Sequence, residues 1–201
     1  MRRKTLDGLI VATGSVVALV LLAAGGLLLW ANSFISDEVH DQLAMQDITM
    51  PTEDSLETQA QHDALDQYAG QKMTDGDQAK AYADHYILVH MNAASGGKTY
   101  SEVSGEYIAM TQDPNADPKK VEELGQLRET LFMGSTLRGL LLNAYAFDTM
   151  GEIAGYAAIA SFAGAGVLLV LVGLGAVHMR RTSPEVEVGA PHQRGVVGAD
   201  A

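Results

Sequence analysis

The chain contains no cysteine. That excludes a disulfide framework, a Cys-ligated zinc site and a thiol nucleophile. It is also short of positive charge: 13 Lys and Arg stand against 25 Asp and Glu, for a net of −12. A phosphate backbone needs clustered Lys and Arg, so nucleic acid is not an expected partner. A length of 201 residues allows one modest domain, or a smaller one carried on membrane spans.

Charge is missing altogether from two stretches. Gly8 to Trp30 is a run of 23 uncharged residues and Ile153 to Val177 a run of 25. A helix needs about 20 apolar residues to cross the hydrocarbon core, so both runs are long enough to span with some tilt. The first run exceeds the roughly 7–15 apolar residues of a signal peptide and continues past the small residues Ala23 to Gly26, which reads as an uncleaved anchor. Arg2, Arg3 and Lys4 precede the first run, and His178, Arg180 and Arg181 follow the second. The excess of basic residues on cytoplasmic flanks places both termini in the cytoplasm, with Trp30 and Tyr156 at the opposite interface.

The expected organisation is therefore a cytoplasmic N-terminus at 1–7, a first transmembrane helix at 8–30, an extracytoplasmic segment at 31–152, a second transmembrane helix at 153–177 and a disordered cytoplasmic tail at 178–201. The tail has no periodic apolar pattern. The segment 31–152 holds 21 Asp and Glu against 7 Lys and Arg, a net of −14, so the acidity of the chain resides there. Such an exterior discourages adhesion to anionic lipid.

Strand-like alternation is absent from 31–152, and helix signals recur. Ser36-Asp37-Glu38 is read as the start of a short amphipathic piece, Val39 to Met45, broken at Pro51. Glu57 to Met73 is a weaker, Ala-containing helix interrupted at Gly70. Asp75 or Asp77 can cap a better one over 78–92. Thr99-Tyr-Ser-Glu102 is a capping box, and Asp117-Pro118 is a cap followed by Pro at the first helical position. Val121, Leu124, Leu127, Leu131 and Phe132 form a stripe, and Gly134-Ser135 is read as the start of the last helix, on which Leu137, Leu140, Leu141, Ala144 and Tyr145 share a face. Nothing obliges that helix to stop before the second apolar run. The fold class is all-α, two transmembrane helices flanking an extracytoplasmic helical bundle.

No internal repeat of 20–50 residues is visible, and nine of the 21 glycines lie in the two apolar runs. The pairs Gly14/Ala18 and Ala160/Gly164 are small-xxx-small faces that let helices approach closely, either one another or those of a partner or second copy.

Catalytic signatures are equally scarce. Asn92 to Thr99 ends like a phosphate-binding loop, but Asn92 stands where that motif needs Gly, and a helix precedes it instead of a strand. No Ser-His-Asp order, glycine elbow or paired-acid motif stands out. No Asp, Glu, His, Lys or Arg lies inside either apolar run, where a transporter or proton relay would place one. Only weak metal candidates remain. His85 and His90 lie five residues apart and should flank the Tyr82/Tyr86/Val89 stripe from opposite sides, whereas two helical ligands share a face at i, i+4. Asp148 and Glu152, one turn apart, could join Asp37, Glu38, His40 and Asp41 as an acidic collar. A packed histidine and a solvated collar are the plainer readings. No catalytic residue and no cofactor are assigned.

Three stretches carry a resemblance: Ala81-Tyr-Ala-Asp-His-Tyr-Ile-Leu-Val-His90, Gly96-Gly-Lys-Thr-Tyr-Ser-Glu-Val-Ser104 and Leu137-Arg-Gly-Leu-Leu-Leu-Asn-Ala-Tyr-Ala-Phe147. With the two-span layout they resemble a group of uncharacterised actinobacterial two-span integral membrane proteins, over residues 1 to about 182. The resemblance implies class and topology and no catalytic residue. Some members bear the label aromatic ring-opening dioxygenase. A non-haem iron site of that kind takes two His and a carboxylate on one face, and His40, His62, His85 and His90 have no spacing that assembles it.

These observations lead to a non-enzymatic integral protein of the cell membrane. It is expected to be an accessory or assembly subunit that docks on a membrane-protein partner, or self-associates, through its Gly/Ala faces and its helical domain. A ligand-sensing protein of chemoreceptor-like layout, with Tyr82, Tyr86, Tyr100 and Tyr107 lining a pocket, is the alternative. A metal-dependent enzyme is third.

Overall fold

The computed structural model describes residues 3–181, and the expected disordered tail beyond Arg181 lies outside the described residues. The chain there is all-α: α1 (Arg3–Met45), α2 (Gln59–Leu65), α3 (Gly76–Tyr82), α4 (Leu88–Ser95), α5 (Tyr100–Gln112) and α6 (Pro118–Arg181), with a π turn, Ala83–Ile87, joining α3 to α4. Three expected boundaries are corrected. The piece 39–45 does not start anew at Ser36, because Asp37 and Glu38 sit on the exposed side of an unbroken α1. Gly134 does not start a helix, because α6 already runs from Pro118 without interruption. Residues 178–181 belong to α6 and not to a tail. The weak helix at 57–73 is shorter than expected. α2 ends at Leu65, a 3-10 turn follows at Asp66–Tyr68, and Gly70 takes φ +70°.

The local signals act as their chemistry dictates. The Thr99 hydroxyl accepts from the Glu102 N–H, and the Glu102 carboxylate accepts from the Thr99 N–H at 2.8 Å. Asp75 caps α3 by accepting from the Gln78 N–H at 2.8 Å. Asp117 accepts from the Lys119 N–H at 3.0 Å, with Pro118 at the first helical position. A second capping box opens α2, where Thr58 and Gln61 exchange backbone and side-chain hydrogen bonds.

The described residues form two compact units, and α1 and α6 contribute to both. The first comprises residues 3–30 and 155–181. Here α1 and α6 run antiparallel along a narrow seam of small residues. Ala18, Gly25, Ala158 and Ala165 are buried, at seven-residue spacing on each helix. Gly8 meets Met179, Val11 meets Gly175, Gly14 meets Val172, Leu21 meets Gly164 and Phe162 meets Gly25. A Cβ on Gly14 would stand 2.8 Å from Val172 Cγ2, so glycine there sets how closely the helices approach. Apart from the half-buried Leu28 and Leu168, the remaining Leu, Val and Ile side chains of both runs point outward and are exposed. Each of the two helices is long and apolar enough to cross a membrane.

The second unit, residues 31–154, has a core of Val39, Leu43, Met50, Leu56, Leu65, Met73, Ala79, Ala83 and Leu141. The Asn32 side chain donates to the Gly151 carbonyl at 2.9 Å, tying α1 to α6 at one end of the unit. A lone antiparallel bridge, Thr49 to Lys72, holds the loop after α1 against the segment before α3. α5 folds back on α6 as a helical hairpin, with Val103 and Leu131 fully buried and Tyr100 against Phe132. α4 reaches α6 at Gly134, where a Cβ would stand 2.6 Å from Met91 Sδ. The residue read as a helix start is a close-contact position within one.

Candidate functional site

The segment resembling a phosphate loop is a helix stop. Gly96 and Gly97 take φ +63° and +84°, which glycine adopts without steric cost, and both N–H groups turn back to the Asn92 carbonyl. The buried Ser95 hydroxyl donates to the Lys98 carbonyl, and the Lys98 ammonium pairs with Glu106 at 2.7 Å. Lys98 is thus committed to a local ion pair.

The metal candidates are dispersed into structural roles. His90 does not stand aside from the tyrosine stripe but completes it. Tyr82, Tyr86 and His90 follow one another at i, i+4 spacing: Tyr82 stacks on Tyr86 at a centroid distance of 4.9 Å, and the His90 ring meets Tyr86 tilted at 4.4 Å. His90 Nδ1–H donates to the Tyr86 carbonyl at 2.7 Å. His85 is half-buried on the preceding π turn. Asp148 accepts the Gly76 N–H at 2.9 Å, and Glu152 is exposed. Among the described residues no three His, Asp or Glu converge as metal ligands would.

The helix-packing candidates divide. Gly14, Ala18 and Gly164 lie on the seam of the first unit, but Ala160 is exposed. Ala158 and Ala165 fill the buried positions on that helix. The reason is phase. A 3–4 spacing marks a face without saying which of several small-residue faces turns inward.

The four tyrosines of the alternative reading line two separate cavities. Tyr82 and Tyr86, with Met91, Thr130 and Gly134, border about 210 Å³. Tyr100 and Tyr107 border a cleft of about 720 Å³ between α5 and α6, where the Arg128 guanidinium stacks on Tyr107 at 4.2 Å. Burial pushes the Tyr82 hydroxyl above its ordinary pKa, with Tyr86 adding to the shift.

Sequence reasoning missed an ion cluster and a furrow. In the cluster, Asp84 accepts from Lys80 Nζ at 2.7 Å and from Arg138 Nη2 at 2.8 Å, and the Lys80 ammonium also lies 5.4 Å from the centre of the Tyr145 ring. Burial raises the Asp84 carboxyl, but the hydrogen bonds and charges of Lys80 and Arg138 outweigh it and hold its pKa below the usual carboxylate range. The i, i+4 spacing of Lys80 and Asp84 was visible, whereas Arg138 lies 54 positions away.

The furrow, of about 390 Å³, lies between residues 34–46, the end of α1 and the turn after it, and the 140–150 stretch of α6. Val39, Leu43 and Ala144 form its floor, Leu140, Phe147 and Met150 one wall, and Glu38, Gln42 and Gln46 the opposite rim. Its size and largely apolar lining with few polar groups are those of a binding site. The apolar wall continues along α6 through Leu137 to Met133, and all five of these α6 side chains are more than half exposed. From Thr130 to Phe147 the only charged residue is Arg138, which is engaged with Asp84. An uncharged face of this length stands out on a segment of net −14.

No protein-family model, no curated protein and no solved structure matches this chain.

Proposed function

We propose that the chain is a two-span integral protein of the cell membrane and serves as a non-enzymatic accessory or assembly subunit, docking through its acidic helical segment. Both termini are cytoplasmic and residues 31–152 extracytoplasmic in this reading. The apolar stretches of α1 and α6 support the spans: each has a mean hydropathy of 2.3, and only 11% of each is buried, whereas a soluble core helix would be covered. The basic residues flanking both runs support the orientation. Kinship with the two-span actinobacterial proteins is part of the same proposal and rests on the three quoted motifs.

The observation that carries docking is the uncharged, exposed face of α6 from Met133 to Met150. Exposed contiguous apolar surface on an otherwise charged domain marks an interaction site. Mild-detergent purification at native expression, after cross-linking in intact cells, tests it by mass spectrometry. A stoichiometric membrane partner is expected. A monodisperse monomer with no cross-linked partner overturns it.

A second reading, small-ligand binding, is favoured by the 720 Å³ cleft with Tyr100, Tyr107 and Arg128. A saturable thermal shift with a small molecule, lost in Tyr107→Ala, would establish it. No shift across a broad panel would remove it.

A further inference from the structure

We infer that the furrow between α1 and α6 receives a helix of a different protein, apolar on the face that enters and lined with Lys or Arg along the edge that meets α1. The inference rests on the docking role proposed above and specifies its partner.

The secondary structure of the occupant follows from what the furrow lacks. Both walls are helices whose backbone groups bond internally, and the lining offers only four polar side chains: Glu38, Gln42, Gln46 and Asn143. An extended peptide laid there would leave its N–H and C=O groups without partners, while a helix brings its own. The walls are spaced accordingly. Ile35, Val39 and Leu43 on α1, continued by Gln46 just past its end, and Leu140, Ala144 and Phe147 on α6, recur at intervals of three and four residues. They present about 16 Å of furrow, or three turns of an inserted helix.

The charge of the occupant follows from the rim. Residues 31–46 carry Asp37, Glu38 and Asp41 and no Lys or Arg. Glu38 borders the furrow itself, and its one close contact there is the Gln42 amide at 2.6 Å, a neutral donor. No Lys or Arg lines the furrow. Basic residues along the incoming edge would therefore meet acids that have no cationic partner there, and the net of −14 on 31–152 would steer them in.

The same charges argue against a second copy of this chain. Two segments of −14 repel, and the one cation on the exposed stretch of α6, Arg138, is held by Asp84. A copy of α6 would bring Glu38 no counter-charge.

The test uses the full-length chain in amphipol and two labelled amphipathic peptides of about 16 residues. Both carry Leu along one face; one has Lys and the other Glu along one edge. Fluorescence anisotropy should show the Lys-edged peptide binding at least about tenfold more tightly, with the margin shrinking in salt. Leu140→Glu with Phe147→Glu should cost about tenfold or more in affinity, and Glu38→Lys should reverse the preference between peptides. All three positions are exposed, so circular dichroism should report an unchanged fold. Equal binding of both peptides, binding by neither, or binding indifferent to the three substitutions overturns the inference. So does a dimer of the chain that dissociates on Leu140→Glu, since the occupant would then be a second copy. A native partner that still co-purifies with the Leu140→Glu, Phe147→Glu chain would leave the docking role standing and move it off the furrow.

Discussion

The carboxylate of Asp148 accepts the backbone N–H of Gly76 at 2.9 Å, across 72 positions of sequence. The contact holds the start of α3 against α6, and it is tight on both sides. A Cβ on Gly76 would stand 2.6 Å from Asp148 Cβ and 3.0 Å from the Tyr145 Cα. One of those obstacles is backbone and cannot rotate away. Gly76→Ala should therefore lower stability by about 1–3 kcal/mol, through overpacking. Asp148→Ala should cost about 1–3 kcal/mol, because the buried N–H loses its acceptor. Asp148→Asn keeps an acceptor oxygen and should cost less. Thermal unfolding in detergent ranks the three; an Asp148→Ala midpoint equal to the parent would show that the contact contributes nothing.

The Asp84 cluster predicts an acid-dependent contribution to stability. Its carboxyl has a folded pKa below the ordinary value of 3.8, so the unfolded chain takes up the proton first. The contribution is complete well above that value and is lost as pH falls through the lowered folded pKa. Asp84→Asn should lower the unfolding midpoint at neutral pH, and the gap between variant and parent should close as pH drops below about 4. Arg138→Met should behave similarly at neutral pH, since Asp84 would lose one of its two cations. A gap that stays constant down to the lowest pH would show that the ion cluster is not its source.

The capping boxes make a more local prediction. Thr99→Ala removes the hydroxyl that accepts the Glu102 N–H, which should cost about 1 kcal/mol. Thr58→Ala should do the same at α2, where Gln61 is buried and its side-chain oxygen also accepts from the Glu57 and Thr58 N–H groups. Thr111→Ala is the control: its hydroxyl only folds back on the Ile108 carbonyl at an exposed position. Equal midpoints for all three variants would refute the assignment.

What was legible in the sequence was local. Thr99, Asp75 and Asp117-Pro118 act within four residues of themselves, so their spacing suffices to place the helix starts. Thr58-x-x-Gln61 carries the same signal, but the stretch after it is polar and lacks the apolar stripe that marks a helix in sequence. The apolar runs were legible from length alone, as was the freedom of α6 to continue into the second of them. Contacts between distant segments were not legible. Nothing near Asp148 says that it reaches Gly76, and nothing near Arg138 says that it reaches Asp84. Gly134 illustrates the same limit: glycine reads as a boundary in one dimension, but here it makes room for Met91. The furrow requires knowing that residues 34–46 lie beside 140–150, which no periodicity contains.

The seam of the first unit separates two faces that composition cannot tell apart. Ala165 is fully buried and Ala160 exposed, although both sit among small residues on the same helix. Ala165→Leu should force α1 and α6 apart and destabilise by about 1–3 kcal/mol, while Ala160→Leu should leave stability unchanged. The absence of native cysteine allows a direct check of register. Gly14→Cys with Val172→Cys places the thiols where a glycine Cβ would already lie 2.8 Å from the valine methyl, so mild oxidation should cross-link them within one chain. Thr13→Cys with Gly173→Cys places both thiols on exposed faces and should not. Efficient cross-linking of the second pair but not the first would mean that the helices meet through other faces, and the predicted contrast between Ala160 and Ala165 would fail with it.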